Sequence, residues 1–82
     1  MPVSQTPVIE RIARVLSGQR FSANADGDSR SAGDAVDRDW PNHVADACAV
    51  LHTLREPDKT MAAAGDPEVW GAMVEAALKA ET

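Results

Sequence analysis

Three groups of residues in this 82-residue sequence have types and spacings that chemistry could use. The first, Asn24-Ala25-Asp26-Gly27-Asp28, sets oxygen side chains at alternate positions, as the start of a calcium loop does. Position 6 of such a loop would be Ser29 instead of glycine, and position 12 would be Ala35 instead of a bidentate glutamate. A charged, solvated loop accounts for the run better. The second group is Cys48 and His52, four residues apart as a metal pair on one helical face would be. Zinc needs three or four ligands, and the chain adds only His43, which falls on the other side of a helix from His52. Cys48 then reads as a small core residue, and no metal or cofactor is expected. A mid-helix cysteine on an apolar face is inert as a nucleophile. Asp37 and Asp39 have no scaffold to raise one pKa, and no glycine-rich loop follows a strand. The chain is therefore not expected to be an enzyme.

The third group is charge. The formal balance is −5, spread as +2 over residues 1–25, −4 over 26–56 and −3 over 57–82. An acidic chain without a basic stripe argues against direct nucleic-acid binding, and its carboxylates are too heavily offset by bases to mimic DNA. Two uses of the charge remain. Asp26, Asp28, Asp34, Asp37 and Asp39 could contact a partner protein, with Trp40 at the base of the acidic stretch as the aromatic anchor. Arg11, Arg14 and Arg20 could hold a small ligand or nucleotide, although the plainer account has them facing the acidic remainder of the same chain.

The elements that position these residues read as helices. Thr6-Pro7 starts the first, with Val8, Ile9, Ile12, Val15 and Leu16 on one face, and Ser17-Gly18 is a stop signal, giving a span of about 7–17. From 19 to 39 the apolar periodicity is lost, which predicts a long acidic loop, with a short helical turn around Gly33 to Asp37 and with Phe21 and Val36 as its only large apolar pins. Trp40, Val44, Ala47, Cys48, Leu51 and Leu54 then mark a helix buried on one side, ended by Pro57. Asp58 to Ala64 reads as a short helix whose Met61 plugs the end of the core. Asp66-Pro67-Glu68 opens the last helix, which runs to about Lys79 and turns Trp70, Met73, Val74, Ala77 and Leu78 inward.

The expectation is a single all-α domain over 1–82. It is a small helical bundle of three main helices plus one short one, with a long loop between the first and second. Residues 1–6 are frayed, the second and last main helices pack as a hairpin, and the first lies across them. A core of this size supplies only about 3–5 kcal/mol, so association with a second copy or another protein would help it. One cysteine excludes an internal disulfide and suits a reducing cytoplasm. MPVSQTPVIE has no basic region followed by an apolar run, so no signal peptide is expected, and no apolar stretch approaches a membrane span.

Trp40, then ADACAVLHTLREPDKTMAAAG, then VWGAMVEAAL, together with Ile9 to Arg14, resembles a group of short uncharacterised helical proteins of alphaproteobacteria and their phages or prophages. Leu54-Arg55-Glu56-Pro57 followed by Met61 and the closing Trp-x-x-Met helix carries most of the likeness, which leaves out the 20–38 stretch. The resemblance implies a helical fold and a phage-associated setting in a bacterial cytoplasm, and it transfers no site residues. The resulting expectation is a non-enzymatic module that docks on another protein, in its sharpest form an inhibitor of a host defence complex of the anti-CRISPR type. The alternatives are a ligand- or nucleotide-binding protein and a self-assembling accessory protein, including a homodimer.

Overall fold

The computed structural model describes the backbone at residues 3–24 and 29–80 and the side chains at 3–20 and 33–80. Its elements are α1 (Val8–Asn24), α2 (Ser29–Asp39), a 3-10 turn (Trp40–His43), α3 (Val44–Leu54), α4 (Lys59–Ala64) and α5 (Pro67–Lys79). Among the described residues there is no strand, and no helix is long and apolar enough to cross a membrane. The all-α expectation therefore holds, with one more helix than the sequence predicts.

The two short linkers behave as their residue types dictate. Asp58 caps α4 by accepting a hydrogen bond from the Met61 N–H at 2.9 Å, and Asp66 caps α5 by accepting from the Glu68 N–H at 2.9 Å. Pro67 occupies the first helical position of α5, where no N–H is needed. At the chain start, the Thr6 N–H donates to Ser4 Oγ at 3.1 Å, so the expected frayed segment contains a local turn.

The expected loop at 19–39 is corrected. Helix α1 runs through Gly18 to Asn24, and 29–39 is helical throughout, so within the described residues the stretch is two helices facing each other. Gly18 is not a stop here. It sits inside α1, where a Cβ would meet Val36 Cγ2 of α2 at 3.9 Å, an ordinary van der Waals contact, so nothing at this position demands a glycine. Ala13 and Ser17, four residues apart on α1, are both completely buried and form a seam of small side chains. Apolar periodicity could not show α2, because much of what holds it is polar. Arg14 Nη1 donates to Asp37 at 2.7 Å, and Ser17 Oγ donates to Asp39 at 2.9 Å. The pinning role expected of Phe21 falls on a side chain outside the described residues.

Ile9 and Ala13 of α1, Ala47 and Leu51 of α3 and Val74 of α5 are the buried apolar core. Trp40, Val44, Cys48, Trp70, Ala77 and Leu78 pack around it, partly exposed. The backbones of α3 and α5 pack against each other as expected of the second and last main helices, while those of α1 and α3 approach more extensively. Leu54, Met61 and Met73, expected in the core, are on the surface, and Met73 is 63% exposed. The reason lies in α5. Val69, Trp70, Met73, Val74, Ala77 and Leu78 cover an arc of about 180° at 100° per residue, more than the neighbouring helices can screen. Val74 takes the core, and the Val69 and Met73 edge is left to solvent.

The result is open instead of compact. The radius of gyration is 14.8 Å, where a compact chain of this length would have about 12 Å. Its accessible surface of 6140 Å² exceeds by about 1,400 Å² the value for a close-packed monomer of this mass.

Candidate docking groove

The acidic and basic residues singled out by the sequence meet each other. Asp39, at the α2 end and the start of the 3-10 turn, is a hub. Its carboxylate accepts from Ser17 Oγ at 2.9 Å, Asn42 Nδ2 at 3.2 Å and Arg20 Nη1 at 3.3 Å, and shares a 2.7 Å hydrogen bond with His43 Nε2. The hydroxyl of Ser17 and the amide of Asn42 favour the ionised form and hold Asp39 below the usual carboxylate value, against the opposing effect of partial burial. Arg14 donates to Asp37 and, through Nε, to Glu10 at 2.8 Å, with Asp37 the larger cause of its raised pKa. Its guanidinium also lies 5.3 Å from the centre of the Trp40 ring, within cation–π range.

These contacts settle where the predicted site residues stand. Asp37 and Asp39 join α2 to α1, and Trp40 is half-buried under Arg14. Asp34 is exposed on α2, and Asp26 and Asp28 lie outside the described residues. Arg14 and Arg20 face Asp37 and Asp39, whereas Arg11 is exposed and donates to the Thr6 carbonyl at 3.3 Å. The three arginines therefore do not converge on an open anion site. Cys48 is half-buried against the core, and His52 is exposed. Among the described residues no three histidine, cysteine or carboxylate side chains gather as a metal site would need.

At the opposite end, α4 and the start of α5 diverge around Gly65 and leave an open-sided groove of about 420 Å³. Met61 lines one wall and Val69, Trp70 and Met73 the other, with Pro57, Ala64, Gly65, Asp66 and Pro67 around the ends. Met61, Val69 and Met73 are all exposed, at 37%, 54% and 63%, so a good part of each apolar side chain is left to solvent. Such a volume lies in the range of sites that accept large apolar groups. Thioethers are soft and adaptable, so the shape of this apolar surface can adjust by rotation of Met61 and Met73.

The floor of the groove is held from behind. The Trp70 indole N–H donates to the Leu54 carbonyl at 2.6 Å, which satisfies an otherwise open acceptor at the C-terminus of α3. Arg55 pairs with Glu75 one turn further along α5, and this pairing lowers the Glu75 pKa and raises that of Arg55. Trp70 is thereby fixed in orientation with part of its ring still open to the groove. Sequence reading places Met61 and Met73 in the core and so misses this site. The signal that could reveal it is the width of the apolar arc on α5 beside a six-residue α4 with one large apolar side chain.

Compared with protein-family models, curated proteins and solved structures, the chain matches none of them.

Proposed function

We propose that this chain is a non-enzymatic module that works by docking on another protein, and that the groove between α4 and α5 receives apolar side chains from that partner. The observation that carries the reading is the exposed apolar surface of Met61, Val69 and Met73 along one groove. Another protein suits the groove better than a second copy. Asp66 lines it and Glu56, Asp58 and Glu68 are exposed chain neighbours of its lining prolines, so like charges would meet if two such ends came together. The acidic face of α2 is a weaker candidate, because Asp37 and Asp39 already serve Arg14 and Arg20.

The sequence resemblance to short phage-associated proteins gives this docking its most specific form, inhibition of a host defence complex in the bacterial cytoplasm. The test is capture from host lysate by the wild-type chain, by Met73→Lys and by the double variant Asp34→Asn/Asp37→Asn. Docking through the groove predicts one retained protein that survives neutralisation of the two aspartates and is lost with Met73→Lys. The reverse pattern would return the contact to α2 and remove the groove from this role.

A further inference from the structure

The rim of the groove carries information about its occupant. Between residues 56 and 68 the chain holds Glu56, Asp58, Asp66 and Glu68 against a single base, Lys59, and all five are exposed. Asp66 lines the groove itself, and Glu56, Asp58 and Glu68 are chain neighbours of the lining prolines Pro57 and Pro67. An apolar slot built from a segment, residues 56–68, of net charge −3 favours an occupant that is apolar along its middle and cationic at its margins.

The shape of the slot narrows this further. A partner segment cannot add as a strand, because the described residues contain no sheet edge for it to join. The uncovered face of α5 instead presents Val69, Met73 and Ala76 in a row at i, i+4 and i+7, all exposed. That row is about 10 Å long, the length of two turns of an incoming helix. Helices pack by setting such a row into the groove of a neighbour, and the i, i+3/i+4, i+7 residues of the incoming helix would be its anchors. Among its described residues a second copy offers no segment of this kind. Its one basic helix, α1, buries its apolar face at Ile9 and Ala13 and pairs Arg14 and Arg20 internally.

Building on the docking reading above, we infer that the occupant of the α4–α5 groove is an amphipathic helix of a partner protein, flanked by lysine or arginine. The Val69, Trp70 and Met73 wall takes its apolar face, and the acidic rim takes its basic flanks.

Two fluorescein-labelled peptides of about 20 residues test this, long enough to form a helix when bound. Both carry the same leucine face at i, i+3/i+4 and i+7, one with lysine flanks and one with glutamate flanks. Each is titrated into the full 82-residue chain by fluorescence anisotropy. The lysine-flanked peptide is expected to bind about tenfold tighter than the glutamate-flanked one. That advantage should vanish at about 1 M salt, where the Debye length is near 3 Å, and in the variant Glu56→Gln/Glu68→Gln, which spares both capping aspartates. Met73→Lys should lose both peptides, while Val15→Lys, an exposed site on α1, should bind like wild type. Equal binding of the two peptides, lost together in Met73→Lys, would overturn the basic-helix inference and leave groove docking standing. Failure of both peptides to bind, or binding indifferent to Met73→Lys, would overturn both. Sedimentation showing self-association that Met73→Lys abolishes would make the occupant a second copy and overturn the inference as well.

Discussion

The two tryptophans sit in opposite surroundings. Trp40 is half-buried beneath the Arg14 guanidinium, in a region where Asp37 and Asp39 answer Arg14 and Arg20. Trp70 is also half-buried, but its N–H is fixed to the Leu54 carbonyl and its ring forms part of an open groove. The first region closes itself with polar groups that find partners inside the chain. In the second, polar contacts support the floor, and the apolar surface above them finds none. An aromatic residue at the end of an acidic stretch is thus the weaker docking candidate here, because its neighbours are already in use.

The contrast predicts how substitutions divide. Leu51 lies 4% exposed where α1, α3 and α5 meet, beneath both regions. Leu51→Ala should cost about 2–4 kcal/mol, most of the roughly 3–5 kcal/mol that a core of this size supplies. Its far-UV circular dichroism melt should begin from a partly unfolded baseline and with a much lower midpoint than wild type. Met73→Lys, also at an apolar position, should shift stability by no more than about 0.5 kcal/mol, because the side chain is already in water. A Met73→Lys melt as damaged as that of Leu51→Ala would mean that the groove wall is core after all.

The polar region should show itself in acid. Asp39 and Glu75 both have folded pKa values held below their ordinary ones, by Ser17 and Asn42 for the first and by Arg55 for the second. Groups of this kind add stability that is present above the unfolded carboxylate pKa of about 4 and is lost as pH falls through the folded value. Denaturation midpoints should therefore fall on acidification below about pH 4, and Asp39→Asn should flatten that limb while lowering the plateau above it. An unchanged acid limb in Asp39→Asn would remove Asp39 as its source.

The smallest effect separates two geometries at one residue. If α1 ended at Gly18 in a left-handed conformation, Gly18→Ala would destabilise the chain. In the continuous helix the added Cβ meets Val36 at 3.9 Å, an ordinary contact, so Gly18→Ala should stabilise by about 0.5–1 kcal/mol. Thermal melts of the two proteins decide the sign.

What could be read from residue order follows the same division. The starts of α4 and α5 were legible because Asp58 and Asp66-Pro67 act locally, through bonds to N–H groups two or three residues on. The continuation of α1 and the existence of α2 were not, because they depend on a buried seam of Ala13 and Ser17 and on pairs more than twenty residues apart, such as Arg14 with Asp37. Neither leaves an apolar period. The groove was hidden for a different cause: Met73 and Val74 both fit an inward-facing pattern, and only the crowding of three helices decides that Val74 enters. The equal lengths of α2 and α3, eleven residues each, show how little apolar content alone says about helicity in this chain.

The hydrogen bond from Trp70 to the end of α3 has an optical consequence. Because it prevents the indole from turning away, whatever fills the slot must displace water from the same face of the same chromophore. The emission of Trp70 should then move to shorter wavelength on occupancy, while that of Trp40, shielded by a guanidinium, supplies a steady background. The protein carries its own gauge of whether the seat is taken.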